Sequence, residues 1–85
     1  MAARHQNLLR RILGGRSDAN IRFNDLRQLL LHLGFDERIR GSHHIFRRNG
    51  VRELINLQRD GSHAKPYQVR QVRRIVLRYR LEANA

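Results

Sequence analysis

The residues with the clearest chemical potential form the tetrapeptide Gly41-Ser42-His43-His44, which precedes the short apolar run Ile45-Phe46. Histidine is the side chain best suited to transfer protons, because it gains and loses a proton near neutral pH. The chain around it is strongly basic, with a formal net charge of +11, and basic domains attract polyanions. The combination indicates acid–base chemistry on a nucleic-acid backbone.

The positive charge comes almost entirely from arginine, since the chain has 18 basic residues and Lys65 is its one lysine. Arginine binds phosphate oxygens in a forked geometry and stacks on bases, which lysine does less well. Such a composition favours a nucleic-acid or acidic-protein partner over charges scattered for solubility.

Length and composition limit the class of protein. The 85 residues are enough for one domain with a small core. The chain has no cysteine, which excludes disulfides and zinc fingers and is compatible with a reducing compartment. It has no apolar stretch long enough for a membrane span and no apolar signal-peptide core, so we expect a cytoplasmic protein.

The apolar periodicity predicts two helices in the first part of the chain. The first covers residues 3–13 and is followed by a linker over residues 14–20. The second covers residues 25–33, with Asn24 as the N-cap and Gly34 as the stop. The leucines of its predicted core face are Leu26, Leu29, Leu30 and Leu33.

Three strands are predicted next, over residues 35–40, 43–48 and 51–57. Their alternation is imperfect, and the adjacent apolar residues Ile45-Phe46 leave open which face of the middle strand is buried. Gly41-Ser42 separates the first two strands and is typical of a turn or a bulge. Asn49-Gly50 separates the last two and predicts a tight type I′ hairpin, because both central residues of that turn need a positive φ angle.

A polar loop is predicted over residues 58–65, after which Pro66 begins the last helix, where its missing N–H costs nothing. The apolar stripe of this helix contains Val69, Val72, Ile75, Val76 and Tyr79. Its other side carries Arg70, Arg73, Arg74 and Arg78. Leu77 and Leu81 interrupt the basic side, and they fit either the fraying end of the helix or a patch for a partner. The order helix, helix, three antiparallel strands, helix indicates an α+β fold in which helices cover one face of the sheet.

Several of these features occur together in a known family. They are the leucine-rich helix that ends in Leu33-Gly34-Phe35, the Gly41-Ser42-His43 motif followed by Phe46 on a strand, the later hairpin and His63 loop, and the Lys65-Pro66 helix start. From residue 21 to about residue 81, the chain resembles the HicA toxins of bacterial toxin–antitoxin systems. It departs from compact members in its N-terminal extension and in residues 56–63.

The resemblance implies a fold and a division of the chain. The fold is the αβββα arrangement of double-stranded-RNA-binding domains, here with an extra N-terminal helix and with helices covering a three-stranded antiparallel sheet. The expected segments are a helical extension and linker over residues 1–20, a HicA-like domain over residues 21–82 and a disordered tail over residues 83–85.

The resemblance also implies a function. HicA toxins are small ribonucleases that cleave messenger RNA and are inhibited by an antitoxin called HicB. We therefore expect a cytoplasmic endoribonuclease that arrests translation, uses no cofactor and is neutralised by an acidic HicB-type partner. The motif places the functional histidine at His43.

Cleavage of RNA needs a base for the 2′-OH proton, an acid for the leaving 5′-oxygen and cations for the charge on the phosphoryl oxygens. His43 can supply one proton transfer, and the second carrier is left open between His63 and water. Neighbours on a strand point to opposite faces, so His44 is a poor co-catalyst and cannot share a metal ion with His43. No metal site is expected. The candidate RNA-binding residues around the motif are Arg40, Gly41, Ser42, Arg47, Arg48 and Lys65.

Two other functions fit the same residues. The first is a non-catalytic RNA-binding module with a fold like that of double-stranded-RNA-binding domains, and the second is a basic partner of an acidic protein. The aromatic residues number three phenylalanines and two tyrosines, and most of them look like core. This argues against sequence-specific reading by stacked bases.

Overall fold

The computed structural model describes residues 2–83, which form an α+β fold. Three helices and five strands follow one another as α1 (Ala2–Gly14), α2 (Phe23–His32), β1 (Asp36–Arg40), β2 (His43–Arg47), β3 (Ile55–Leu57), β4 (Arg59–Asp60), β5 (His63–Ala64) and α3 (Pro66–Tyr79). A short 3-10 turn, Asp18–Asn20, lies between α1 and α2. The predicted fold class is confirmed: a three-stranded antiparallel sheet with the αβββα order, preceded by a helix.

The three-stranded sheet has the order β1-β2-β3 and presents two different faces. Cross-strand partners share a face, and the register pairs Arg40 with His43, Ile39 with His44, and Ile45 with Asn56. One face packs against the helices and carries Glu37, Ile39, His44, Phe46, Ile55 and Leu57. The other, called here the open face, carries Asp36, Arg38, Arg40, His43, Ile45, Arg47 and Asn56. Adjacent histidines of β2 therefore lie on opposite faces, as predicted.

The core lies between the helix-packed face of the sheet and the apolar stripes of all three helices. All four predicted core leucines of α2 are buried, and so is the apolar stripe of α3 apart from half-buried Tyr79. The buried residues of α1, which join the same core, are Leu8, Leu9 and Ile12. The N-terminal helix is thus packed on the rest of the fold.

The start of α2 differs from the prediction. The helix begins at Phe23, with Arg22 at the N-cap position and no capping side chain, so the assignment of Asn24 as N-cap was wrong. Tertiary contacts set this start: the N–H of Phe23 donates to the carbonyl of Ser62 at 3.0 Å, and the Phe23 side chain is fully buried. Helix α3 begins at Pro66, as predicted.

The turns also differ. Gly41 has a φ angle of 59° and Ser42 does not have a positive φ, which matches the type II′ turn of a tight hairpin. Asn49 lacks the positive φ that a type I′ turn requires, although Gly50 has a φ angle of 87°. The predicted type I′ turn was therefore wrong, although Asn49-Gly50 does form a turn, in which Val51 donates its N–H to the carbonyl of Arg48 at 3.1 Å. Strand β3 is limited to Ile55–Leu57, because residues 51–54 are not a strand.

The predicted polar loop over residues 58–65 was also wrong, since it contains the small hairpin of β4 and β5. This hairpin packs beside the start of α2, where Ala64 donates its N–H to the carbonyl of Ile21 at 2.9 Å. Because Ala64 is buried, the hairpin is anchored in the core and holds the chain that leads into α3.

The two ends of the described chain pack on the core. At the C-terminal end Leu81 and Ala83 are buried, so Leu81 is no part of an exposed patch for a partner. Residues 84 and 85 of the predicted disordered tail lie outside the described residues, and the division into segments stays a prediction. In residues 2–83 no helix has the length and apolar character needed to cross a membrane.

Candidate active site

The Gly41-Ser42-His43 motif forms the tight turn between β1 and β2 and the first residue of β2. Glycine at the first central position supplies the positive φ that the turn needs. Ser42 accepts a hydrogen bond from the Gln58 side-chain amide at 3.1 Å, which ties the turn to the chain beyond β3. His43 follows at once, opposite Arg40 and exposed on the open face.

His43 has a partner that orients its ring. Its Nδ1 lies 3.2 Å from Oδ1 of Asn56, which lies on the neighbouring strand β3. An amide oxygen can only accept a hydrogen bond, so the neutral tautomer that fits this contact carries its proton on Nδ1. In that tautomer the other ring nitrogen, Nε2, has the free lone pair.

A cleft of about 260 Å³ lies where the open face meets the first turns of α3. His43 is one of its walls. The described residues that line it are His43, Asn56, Gln58, Tyr67, Gln68 and Gln71. Of the three residues of the motif, His43 is therefore the one that lines this concave site.

His44 lies on the helix-packed face of the sheet, opposite to the face of His43, and it makes packing and hydrogen-bond contacts there, as predicted. Its Nδ1 lies 2.7 Å from Oε2 of Glu37, and the same oxygen accepts a hydrogen bond from Nε of Arg27 at 2.6 Å. The His44 ring packs edge-on against Phe23. The hydrogen bond from Arg27 holds the pKa of the Glu37 carboxyl below its usual range, against the opposing effect of burial.

His63, the candidate for the second proton transfer, lies on β5. Its Nδ1 is 3.1 Å from the hydroxyl oxygen of Ser62, and its backbone pairs with Arg22. It is not among the residues that line the cleft beside His43. The structure does not bring the two histidines together in that cleft.

The predicted cationic residues divide into two groups. Arg40 and Arg47 lie on the open face, where they share a pocket of about 230 Å³ with Arg38, Ile45 and Leu54. Arg38 was missed from the sequence, although the two-residue alternation along β1 places it on the same face as Arg40. The open face therefore combines three guanidinium groups with His43.

Arg48 and Lys65 lie elsewhere. The Arg48 side chain passes over Gly34 and lines a pocket with Tyr79 and Arg80 near the end of α3. Lys65 occupies the N-cap position of α3, two residues before Tyr67. Neither residue lines the pocket of Arg38, Arg40 and Arg47.

Sequence reasoning also missed several residues of the cleft. Tyr67 was grouped with aromatic residues that mostly look like core, but it is 55% exposed. Asn56 was not considered as a partner of His43; in the register of β2 and β3 it lies opposite Ile45, on the same face as His43. In residues 2–83 no group of three or more His, Cys, Asp or Glu side chains is placed to hold a metal ion.

Comparison with known proteins places these elements in a family. The family model described as the HicA toxin of bacterial toxin–antitoxin systems matches residues 23–78, which is more than half of the chain. The chain belongs to the HicA toxin family. The HicA match runs from the first residue of α2 to the last turn of α3, so it includes the sheet and the cleft but not α1. Searches of curated proteins and of solved structures found no match.

Proposed function

We propose that this HicA-family toxin is an endoribonuclease that cleaves messenger RNA in the bacterial cytoplasm, with His43 as its catalytic acid–base group. The observation that carries the proposal is the geometry of His43. It is exposed and lines a cleft, and the contact of its Nδ1 with the Asn56 amide oxygen favours the tautomer in which Nε2 is free. Three arginines share its face of the sheet.

In the proposed reaction, Nε2 of His43 removes the proton from the 2′-OH of a ribose. The 2′-oxygen then forms a bond to the adjacent phosphorus while the bond from phosphorus to the 5′-oxygen breaks. The products are a 2′,3′-cyclic phosphate and a free 5′-OH, which takes its proton from water or from a second side chain. His63 lies outside the cleft, so water is the better-supported proton carrier.

The proposed role of the open-face arginines is to bind the phosphate. Negative charge builds up on the phosphoryl oxygens during the attack, and guanidinium groups aimed at these oxygens stabilise that charge. Arg38, Arg40 and Arg47 lie on the face that carries His43 and line one pocket there. They are therefore better candidates for phosphate binding than Arg48, which lines a different pocket.

Asn56 is proposed as a positioning residue. It acts through His43, because its amide oxygen accepts from Nδ1 and so selects the tautomer with a free Nε2. Replacing it should slow cleavage without removing the group that transfers the proton.

The decisive test is the cleavage of purified RNA by wild type and by His43→Ala, with EDTA in the reaction. Since His43 is exposed, the variant should fold normally, bind RNA and lose roughly a hundredfold or more of the cleavage rate, as expected for loss of a general acid or base. Undiminished cleavage by the variant would refute the role of His43. Binding without any cleavage by the wild type would instead identify a non-catalytic RNA-binding module.

The family implies an antitoxin partner, and we propose that it is an acidic protein of the HicB type. The formal charge of +11 would speed association with such a partner. Growth provides the test: induction of the wild type alone should arrest bacteria, whereas His43→Ala should be tolerated. Equal growth arrest by both proteins would point to RNA sequestration or aggregation as the cause.

A further inference from the structure

The cleft beside His43 differs in chemistry from the rest of this protein's surface. The chain has 18 basic and 7 acidic residues, yet none of the six described residues that line the cleft is Lys, Arg, Asp or Glu. Amide and phenol groups line it instead, together with His43. The arginines lie in the neighbouring pocket of the open face. A phosphate would bind among the arginines, so the uncharged cleft suits a different part of a nucleotide.

Tyr67 gives the cleft an aromatic surface. Of the three phenylalanines and two tyrosines, it is the one whose side chain is exposed, at 55%. Tyr79 is half-buried and donates a hydrogen bond to Glu53 at 2.5 Å. Tyr67 directly follows Pro66 at the start of α3, so its backbone is held by the helix. An exposed aromatic ring on a rigid element is suited to stacking on an unpaired base.

The amides of the cleft supply hydrogen-bonding groups. Gln58 donates one N–H to Ser42, and Gln71 donates one to the carbonyl of Leu54 at 3.4 Å. A glutamine amide has a second N–H and an oxygen besides the group used in each of these bonds. Amides pair with the edges of bases, which also display donors and acceptors side by side. The bond from Gln58 to Ser42 couples this part of the cleft to the turn that presents His43.

We infer that the cleft is a binding site for one unpaired nucleobase, next to the ribose whose 2′-OH His43 deprotonates. Tyr67 stacks on the base, and the side chains of Gln58 and Gln71 contact its edge. The inference rests on the proposed ribonuclease function for the position of the scissile bond, but base binding itself does not need cleavage. It makes the enzyme specific for single-stranded RNA at the cut, because a paired base cannot enter the cleft.

The experiment measures the affinity of two probes by fluorescence anisotropy. One probe is a short single-stranded oligoribonucleotide, and the other is an abasic chain with the same number of phosphates. Wild type should bind the oligoribonucleotide more tightly. Tyr67→Ala should lose roughly tenfold in affinity for it, as expected for one stacked base, and should bind the abasic chain as wild type does. Tyr67→Phe, which keeps the ring, should retain most of the affinity.

Two controls separate this result from general effects. Leu77→Ala removes a side chain of similar exposure (62%) from the same helix but outside the cleft, and it should leave both affinities unchanged. Arg38→Ala should lower the affinity for both probes by the same factor. Equal effects of Tyr67→Ala on the two probes, or no effect on either, would overturn the inference. Because the readout is binding, this failure is distinguishable from an absence of cleavage, which would count against the proposed function alone.

Discussion

His44 Nδ1 lies 2.7 Å from Oε2 of Glu37, on the face of the sheet opposite to the one that carries His43. The two histidines are adjacent in the chain, yet the two-residue period of a strand gives them different environments. His44 is part of a mostly buried network with Glu37 and Arg27. This network ties β1 and β2 to α2, and it fixes the strand whose first residue is His43.

The first prediction concerns Glu37→Gln. The Glu37 side chain is 8% exposed and pairs with two cationic or potentially cationic groups. Removing its charge should lower the free energy of unfolding by about 1–3 kcal/mol, the usual range for hydrogen bonds to charged groups. Urea unfolding at neutral pH measures this loss. Asp36→Asn, on the exposed side of the same strand, is the matched control and should change stability little.

The difference in stability between wild type and Glu37→Gln should depend on pH. The reason is the pKa of Glu37, which is lowered mainly by the hydrogen bond from Arg27. A carboxyl whose pKa is lower in the folded state stabilises the fold above its ordinary value of 4.5. This stabilisation is lost as pH falls through the lowered pKa. Wild type and variant should therefore converge in acid, and a stability difference that stayed constant with pH would contradict the assignment.

The second prediction concerns Asp18→Asn. Arg73 of α3 donates to both carboxylate oxygens of Asp18, at 2.9 and 3.1 Å, and to the carbonyl of Ile12 at 3.0 Å. These bonds connect α3 to the end of α1 and to the segment that follows it. The variant should lose about 1–3 kcal/mol of stability, and hydrogen exchange should speed up in α1. Asp60→Asn, on exposed β4, is the control; unchanged exchange in α1 would refute this role for Arg73.

The sequence predicted the helices well, because they depend on local periodicity. The facing of β2 was left open, since the adjacent apolar residues Ile45 and Phe46 break the alternation, and the pairing with β1 and β3 is what settles it. The core leucines of α2 and the Pro66 start of α3 need only neighbouring residues to be recognised. The start of α2 was misplaced since it depends on Ser62, far along the chain, which accepts a hydrogen bond from Phe23. The strand after Asn49-Gly50 was predicted too long. Residues 51–54 are a connection without strand structure, and β3 pairs with β2 through Ile55–Leu57 only.

The motif and its neighbours in the sequence were enough to select His43, Arg40 and Arg47, which the structure places on one face of the sheet, while their roles stay predictions. Asn56, Gln58 and Gln71 were not predictable, because common polar residues become a cleft only when β3, the chain after it and α3 come together. Arg48 was included by proximity in sequence alone, but the end of β2 directs it to another pocket.

The third prediction is a change in the pH dependence of cleavage by Asn56→Asp. A carboxylate 3.2 Å from Nδ1, in place of the amide oxygen, would favour the protonated form of His43. If His43 acts as the base, the rising limb of the pH–rate profile should move to higher pH. Asn49→Asp, an exposed position outside the cleft, adds the same charge as a control. A profile that does not move would show that Asn56 does not act through His43.

The fourth prediction concerns the dependence of RNA affinity on salt. The double variant Arg40→Ala/Arg47→Ala should bind RNA more weakly and reduce the slope of log affinity against log salt by about 2, close to one for each phosphate that is no longer bound. The matched double variant Arg10→Ala/Arg16→Ala removes the same charge from exposed positions outside the HicA match. Equal slopes for the two double variants would mean that the open face makes no special phosphate contacts.

The last prediction concerns the surface that the proposed antitoxin covers. Leu81 is buried, so the exposed apolar residue that remains on the basic side of α3 is Leu77. The open face offers a second anchor, since Leu54 is 57% exposed and shares a pocket with Ile45 and three arginines. Buried apolar anchors carry most interface energy. The arginines around Leu54 would in addition attract the negative charge of an acidic partner. An antitoxin bound here would block the approach of RNA to His43 while leaving the fold intact.

Hydrogen exchange on the complex with the co-encoded antitoxin should therefore show protection over residues 41–46 and along α3. Leu54→Glu should weaken the complex by roughly tenfold or more, because it replaces an apolar anchor with a charge of the partner's own sign. Leu77→Glu makes the same change on α3 and measures the contribution of that helix separately. Protection confined to α1, together with cleavage that continues in the complex, would refute inhibition by covering the site. The inhibitor would then act through the N-terminal helix, which lies outside the residues matched to the family.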